Sequence, residues 1–400
     1  MRILIWADGG ANTGYGTVTH NLASRWVAMG AEVHVLAINY LGDPFPSSYH
    51  LYPASKGNLQ DRFGINRLLE MVNRVKPDVM FILNDLYIIT QALKPFNNNF
   101  PVPTVLYVPI DGTAVPNGWV EPIRKANRTV VMSNHGRRTL MDEWHLPTQV
   151  IWHGVEHELF FPLSEEKSIT AHRNGQAIPI NSKTLAKKEL GIAEDRFVWF
   201  AVNRNSIRKN YPDLFRVFDR FRKKYPKALL YLHTAKVDEG GDLGLLSERY
   251  GLTQEHLMLY DPKDTFLGSP KTLLALMYNA ADVKVSTSMA EGFGLTDAEA
   301  LACGVPVVAQ EYSATTEVVA NGGITVPPQR HFTTANMVDF ALPDLDGYFD
   351  ALEKLYLNPE LRAELSRNAV SHAAHFSWDK AATEFMEIFN EVAAQKPVGR

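Results

Sequence analysis

The chain has 400 residues, 46% of them hydrophobic and 21% charged, with a formal net charge of −4. That length suggests two or three domains, the composition is that of a globular protein, and the slight negative charge argues against a general nucleic-acid binder. The single cysteine, Cys303, excludes a disulfide framework and fits a reducing compartment, and no apolar run approaches the ~18 residues of a membrane span, which makes the cytoplasm the expected location.

Arg2 to Ala7 reads as a buried first strand. Asp8 to Gly16 follows as a glycine-rich loop, Val18 to Met29 as a helix with apolar positions at Val18, Leu22, Trp26 and Met29, and Val33 to Ile38 as a second strand. This is a βαβ opening of the doubly wound kind. It departs from a dinucleotide fingerprint: Thr19 stands where Gly or Ala is wanted after Gly14 and Gly16, and the second strand ends at Asn39 instead of an acid. Residues 41–61 read as loop, with Pro44, Pro46 and Pro53. Asn66 to Val75 is a predicted helix. Asp78 to Leu83 and Thr104 to Val108 are predicted strands whose ends, at Asn84-Asp85 and Pro109-Ile110-Asp111-Gly112, face the ligand crevice of a parallel sheet. Thr129 to Ser133 and Val150 to Trp152 complete the first half. The basic residues Arg124, Lys125, Arg128, Arg137 and Arg138 read as scattered surface charge.

Residues 163–184 are polar and aperiodic and read as a linker with a surface insertion. In the second half, Phe197 to Val202 is a predicted strand, followed by a loop that carries Arg204 and Lys209 ahead of a helix opened by Pro212. Ala228 to His233 and Leu257 to Tyr260 are strands, with Thr234, Tyr260 and Asp261 as candidates to border a nucleotide. Val283 and Val285 mark a short strand, and Glu291-Gly292-Phe293-Gly294 a tight loop whose glycines admit a ligand close to the backbone. Thr296 to Cys303 is a helix stopped by Gly304-Val305-Pro306. Glu299 follows Glu291 by about two helical turns. Amides at a helix start suit a phosphate, and carboxylates suit hydroxyls. Gly322 to Val326 is the expected last strand, followed by helices over 346–357, 359–375 and the segment after Trp378.

Glu291-x7-Glu299, with Gly-Phe-Gly after the first Glu and Ala-x-Gly-x-Pro-Val after the second, resembles the signature of retaining GT-B glycosyltransferases of the glycogen-synthase-like and sucrose-synthase-like group. Arg204 and Lys209, five residues apart after a strand, resemble that family's basic pair. Phe376-Ser377-Trp378 resembles the segment after which its final helix returns to the first domain. The resemblance implies an α/β fold of two Rossmann-like doubly wound domains facing across a cleft: residues 1–162 for the acceptor, 163–185 as linker and insertion, 186–375 for the nucleotide sugar, and 376–400 as the returning helix. It implies no cofactor and no metal site, the substrate being a UDP-, GDP- or ADP-sugar. Arg204 and Lys209 are then expected to stabilise the leaving diphosphate. Glu299 would hold the ribose, and Glu291, with Gly292, Phe293, Gly294 and Leu295, the sugar and distal phosphate. Gly10 would let its loop approach the donor phosphates or the acceptor. Asp111 is a candidate catalytic group, since the family's His after this strand is replaced by Pro109; a turn-stabilising role before Gly112 is the competing account. His153 stands where the family has Asn, and a structural role at the domain junction competes with a catalytic one. The acceptor stays open among glycan, lipid, protein, small molecule and modified nucleobase. Rival readings are a sugar-nucleotide epimerase or phosphorylase on the same fold, and a non-catalytic sugar-nucleotide-binding protein.

Overall fold

The computed structural model describes residues 1–10, 13–55, 61–173, 176–261 and 270–394. Ala11 and Asn12 of the glycine-rich loop lie outside the described residues, as do two positions of the predicted insertion.

The first domain is built on seven parallel strands: β1 (Arg2–Asp8), β2 (Glu32–Ile38), β3 (His50–Pro53), β4 (Val79–Leu83), β5 (Thr104–Val108), β6 (Arg128–Val131) and β7 (Gln149–Val150). Their order is β3-β2-β1-β4-β5-β6-β7. Both faces are covered by helices, so β4 and β5 are buried at every position and carry continuous apolar runs, as central parallel strands must. The chain reverses its direction of travel across the sheet between β1 and β4. That switch leaves a crevice beyond the carboxyl ends of these two strands.

A hairpin of β8 (Ile169–Arg173) and β9 (Gln176–Ile180) follows. The second domain repeats the plan with β10 (Phe197–Val202), β11 (Ala228–His233), β14 (Leu257–Tyr260), β15 (Val283–Val285), β16 (Val307–Gln310) and β17 (Gly323–Val326). A short ribbon, β12 (Val237–Asp238) and β13 (Gly241–Asp242), leaves the end of β11. The sheet order is β14-β11-β10-β15-β16-β17, which puts its switch point between β10 and β15. The last helix, Trp378–Ala393, lies on the first domain: Phe385 and Phe389 stack edge-on against Phe81 of β4 and against Trp26 of the first helix.

Three stretches differ from the sequence reading. Residues 163–184 are not merely linker, because β8 and β9 pair there and bury Ile169 and Ile180 against the main core. Residues 41–61 contain edge strand β3, where Pro53 is tolerated because the strand has a neighbour on one side only. The strand over 323–326 is not the last: β18 (Pro328–Thr333) and β19 (Asp339–Pro343) form a hairpin that crosses to the first domain, where Asp339 pairs with Thr113. Alternation in this hairpin is weak because most of its side chains are half-buried or exposed.

Candidate active site

The two switch points face one another. From the first domain come Tyr15 after β1, Asp85 after β4 and Asp111 after β5. From the second come Arg208 and Lys209 after β10, and Glu291 after β15. Gly292 makes the approach possible, since a Cβ there would lie 2.6 Å from Pro109 Cβ and 2.8 Å from Asp111 Oδ1. The Glu291 loop therefore rests directly on the loop that follows β5.

Glu291 is the centre of this cluster and is 5% exposed. One carboxylate oxygen accepts from Lys209 Nζ, and the other lies 2.9 Å from Arg208 Nη1. Its backbone amide donates to Ser313 Oγ at 2.9 Å. Burial alone would raise its pKa, but Lys209 and Arg208 outweigh burial and hold the carboxyl well below the usual range. Lys209 is pushed downward, mainly by burial. Arg208 also contacts the Ala290 carbonyl and reaches Asp111 Oδ2 across the cleft at 3.6 Å. On the far wall the Tyr15 hydroxyl donates to Asp85 Oδ1 at 2.7 Å. Burial, with Asp111 nearby, raises the Asp85 pKa to about 6.

The Leu295–Ala302 helix begins beside Glu291. Gly294 precedes it at φ +105°, a left-handed conformation that favours glycine, and no side chain caps the first amides. The helix is anchored from below by a buried ion pair between Lys284 of β15 and Asp297. Phe293 turns inward, with its ring 4.7 Å from His153 and 5.5 Å from Phe376, so that loop residue is a packing anchor at the domain junction. Glu299, on the same helix, accepts from the Tyr278 hydroxyl at 2.8 Å. Burial raises its pKa to about 7.

Other predicted positions fall elsewhere. Arg204 turns toward the ribbon, with Nε 2.9 Å from Asp238 and Nη2 2.9 Å from Glu239; its side chain is 61% exposed. It is not part of the Glu291 cluster in this state. A Cβ on Gly10 would overlap the Asn39 and Tyr40 backbone, so that glycine is required by its own domain's packing. His153 is buried and bonded to the Tyr107 hydroxyl at 2.8 Å, and burial lowers its pKa to about 3. That geometry makes it a neutral core residue of the junction. Ser133 caps the Asn134–Trp144 helix through the Gly136 amide, while Glu317 of the second domain accepts from Asn134 Nδ2 and the His135 amide at 2.7 and 3.0 Å. Tyr260 stacks on His233 at 5.3 Å where β11 and β14 end, and Asp261 accepts from the Lys236 amide.

The sequence reading passed over Arg208, Tyr15 and the Lys284–Asp297 pair. Arg208 adjoins Lys209 in the same basic loop, and Tyr15 lies between two glycines. Lys284 is hidden within an apolar Val-Lys-Val strand. No group of three or more His, Cys, Asp or Glu able to hold a metal occurs among the described residues. No described helix is long and apolar enough to cross a membrane.

Residues 182–372 match the family model "Glycosyl transferases group 1", and residues 12–159 match "Glycosyltransferase Family 4". Each domain of the cleft is thus claimed by its own glycosyltransferase model. The chain belongs to the GT-B glycosyltransferases. It is similar to D-inositol 3-phosphate glycosyltransferase of Salinispora arenicola, 28% identical over 69% of this chain and 57% of that protein. The protein of the same name from Saccharomonospora viridis is 37% identical over 30% of this chain and 25% of its own length. The matches thus span well under two thirds of these curated relatives. Among solved structures, sucrose-phosphate synthase from Thermosynechococcus elongatus superposes with a TM-score of 0.74 at 16% identity, over 98% of this chain and 99% of its own. Anabaena HepE, solved with UDP-glucose, gives 0.68 at 17% identity, over 98% and 100%. At these identities the structures speak to the fold.

Proposed function

We propose that this GT-B family member transfers a sugar from a nucleoside-diphosphate sugar to an acceptor hydroxyl, with retention of anomeric configuration and without a metal ion. The observation that carries this reading is the Lys209–Glu291–Arg208 cluster beside an uncapped helix start, opposed across the cleft by Asp111. It offers cations and amide dipoles where a diphosphate gains charge, and carboxylates where hydroxyls would be held.

In this proposal Lys209 bonds the diphosphate, aided by the amides of Phe293 to Leu295. Arg204 joins it by leaving Asp238 and Glu239. Such an exposed pairing is worth only about 0–1 kcal/mol, so exchanging it for a phosphate costs little. The basic side chains supply the countercharge that a metal supplies elsewhere. Glu299 holds the ribose hydroxyls, and Glu291 the sugar, kept ionised by Arg208. The acceptor oxygen forms its bond to the anomeric carbon on the face that the diphosphate leaves. The C–O bond to the diphosphate breaks, and the acceptor proton passes to a departing phosphate oxygen. Asp111 orients the acceptor hydroxyl or the donor sugar. Closure of the domains excludes water and limits hydrolysis of the donor.

The test is release of nucleoside diphosphate from a panel of UDP-, GDP- and ADP-sugars, with acceptor mixtures that include D-inositol 3-phosphate, the compound in the relatives' name. Acceptor-dependent release with an α-linked product from an α-linked donor supports the reading. Donor binding without product under every acceptor mixture opposes it.

A further inference from the structure

A cavity of about 220 Å³ opens beside Asp111, between the domains. The first domain contributes Asp85, Tyr87, Asp111 and Trp119 to its lining, and the second contributes Arg208 and Phe340. Phe340 lies on β19, so the hairpin that crosses to the first domain also forms one wall. The Tyr87 and Trp119 rings are tilted by 43° with centroids 5.7 Å apart, and Tyr87 is 38% exposed.

The polar groups of this cavity are unevenly signed. Among the described residues two carboxylates line it, and the one cation there is Arg208. That guanidinium is already engaged by Asp111 at 3.6 Å, by Glu291 at 2.9 Å and by the Ala290 carbonyl. Among the described residues a phosphate entering here would meet two acids and no uncommitted cation. Hydroxyl groups, by contrast, are donors that carboxylates accept well. Flat aromatic surfaces beside a few convergent polar groups suit the apolar face of a small ring.

We propose that this cavity is the acceptor subsite and that it takes a neutral polyhydroxylated ring, a hexopyranoside or a cyclitol, in preference to its phosphate ester. The ring lies against Trp119 and Tyr87 and donates hydroxyl hydrogens to Asp85 and Asp111. Its attacking oxygen then points past Asp111 toward the Glu291 loop, which touches that residue at Gly292. This inference rests on the transferase reading and narrows it.

Saturation-transfer NMR tests the assignment on the full chain, loaded with whichever of UDP, GDP or ADP binds it best. The probes are methyl α-D-glucopyranoside and myo-inositol, each beside its monophosphate. Transfer to a neutral probe is expected, with transfer to its phosphate reduced about tenfold or more. Trp119→Ala and Tyr87→Ala are each expected to weaken neutral-probe binding about tenfold, and Trp119→Phe to restore it. Tyr87 is exposed enough that its variant should fold, which a thermal melt checks. Preferred binding of the phosphates, no transfer to either neutral probe, or unchanged binding in both alanine variants would overturn the assignment. Failure of all three nucleoside diphosphates to bind would instead overturn the parent reading.

Discussion

Arg208 Nε of the second domain stands 3.6 Å from Asp111 of the first, while Nη1 of the same side chain holds Glu291 at 2.9 Å. One guanidinium thus ties the loop after β5 to the loop after β15 across the cleft. Removing Arg208 leaves Glu291 with Lys209 alone, and leaves Asp85 and Asp111 facing each other unscreened. Arg208→Ala should lower stability by about 1–3 kcal/mol, less than the full loss of a buried pair because Lys209 remains. It should also lower turnover about 100-fold or more. Thermal melts and initial rates measure the two effects. Arg208→Ala at wild-type turnover would show that the bridge is only a packing contact.

Gly292 has no room for a side chain against Pro109 and Asp111. Gly292→Ala should therefore hold the domains apart. The expected result is a loss of turnover of about tenfold or more, with nucleoside diphosphate affinity changed less than about threefold, since the second domain's own pocket is intact. Small-angle scattering should report a larger radius of gyration in the variant. A variant as compact and active as the parent would contradict this.

Glu299 gives a pH dependence of known sign. Its folded pKa, raised to about 7 by burial, lies above the ordinary carboxyl value. The folded protein therefore binds more protons than the unfolded chain between roughly pH 4.5 and 7, and its stability falls as pH rises through that window. Glu299→Gln should remove this loss, which is on the order of 1–3 kcal/mol for a partly exposed group. If the carboxylate receives ribose hydroxyls, nucleotide affinity should rise more steeply between pH 6 and 8 in the parent than in Glu299→Gln, where only the slope of the diphosphate's own ionisation at about pH 6 and of Asp85 remains. Equilibrium denaturation and titration calorimetry across that range check both slopes. Parallel curves for the two proteins would remove Glu299 from the nucleotide site.

Lys284 and Asp297 are 0% and 1% exposed and pair beneath the helix start. Breaking such a pair from one side strands a buried charge and costs about 3–5 kcal/mol. Lys284→Met alone should be strongly destabilised, and adding Asp297→Leu should recover most of the loss. Denaturant midpoints measure this. Near-additive losses in the double variant would deny the pair its anchoring role.

The fold was legible because parallel strands buried on both faces appear as continuous apolar runs, such as VMFIL and TVLYV, with their helices between them. The loop and helix of the candidate site were legible where backbone demands constrain sequence: Gly-Phe-Gly after Glu291, and a helix stopped at Gly304. What escaped has a common cause, namely that partners distant in sequence fix its role. Nothing near Arg208 distinguishes it from Arg204, and only the folded cleft gives one to Asp111 and the other to Asp238 and Glu239. Lys284 reads as an interruption of a strand until Asp297 is placed beside it. The β18–β19 hairpin escaped because its anchor, Thr113, lies in the other domain.

Calorimetric titration of UDP, GDP and ADP into the parent chain and into Lys209→Ala tests the central claim most directly. The account predicts that at least one diphosphate binds the parent, stabilising it by about 2.7 kcal/mol at a hundred times its Kd. It predicts that Lys209→Ala, still folded, loses about tenfold or more of that affinity. Equal binding by the two proteins, or no binding of any diphosphate to the parent, would contradict it.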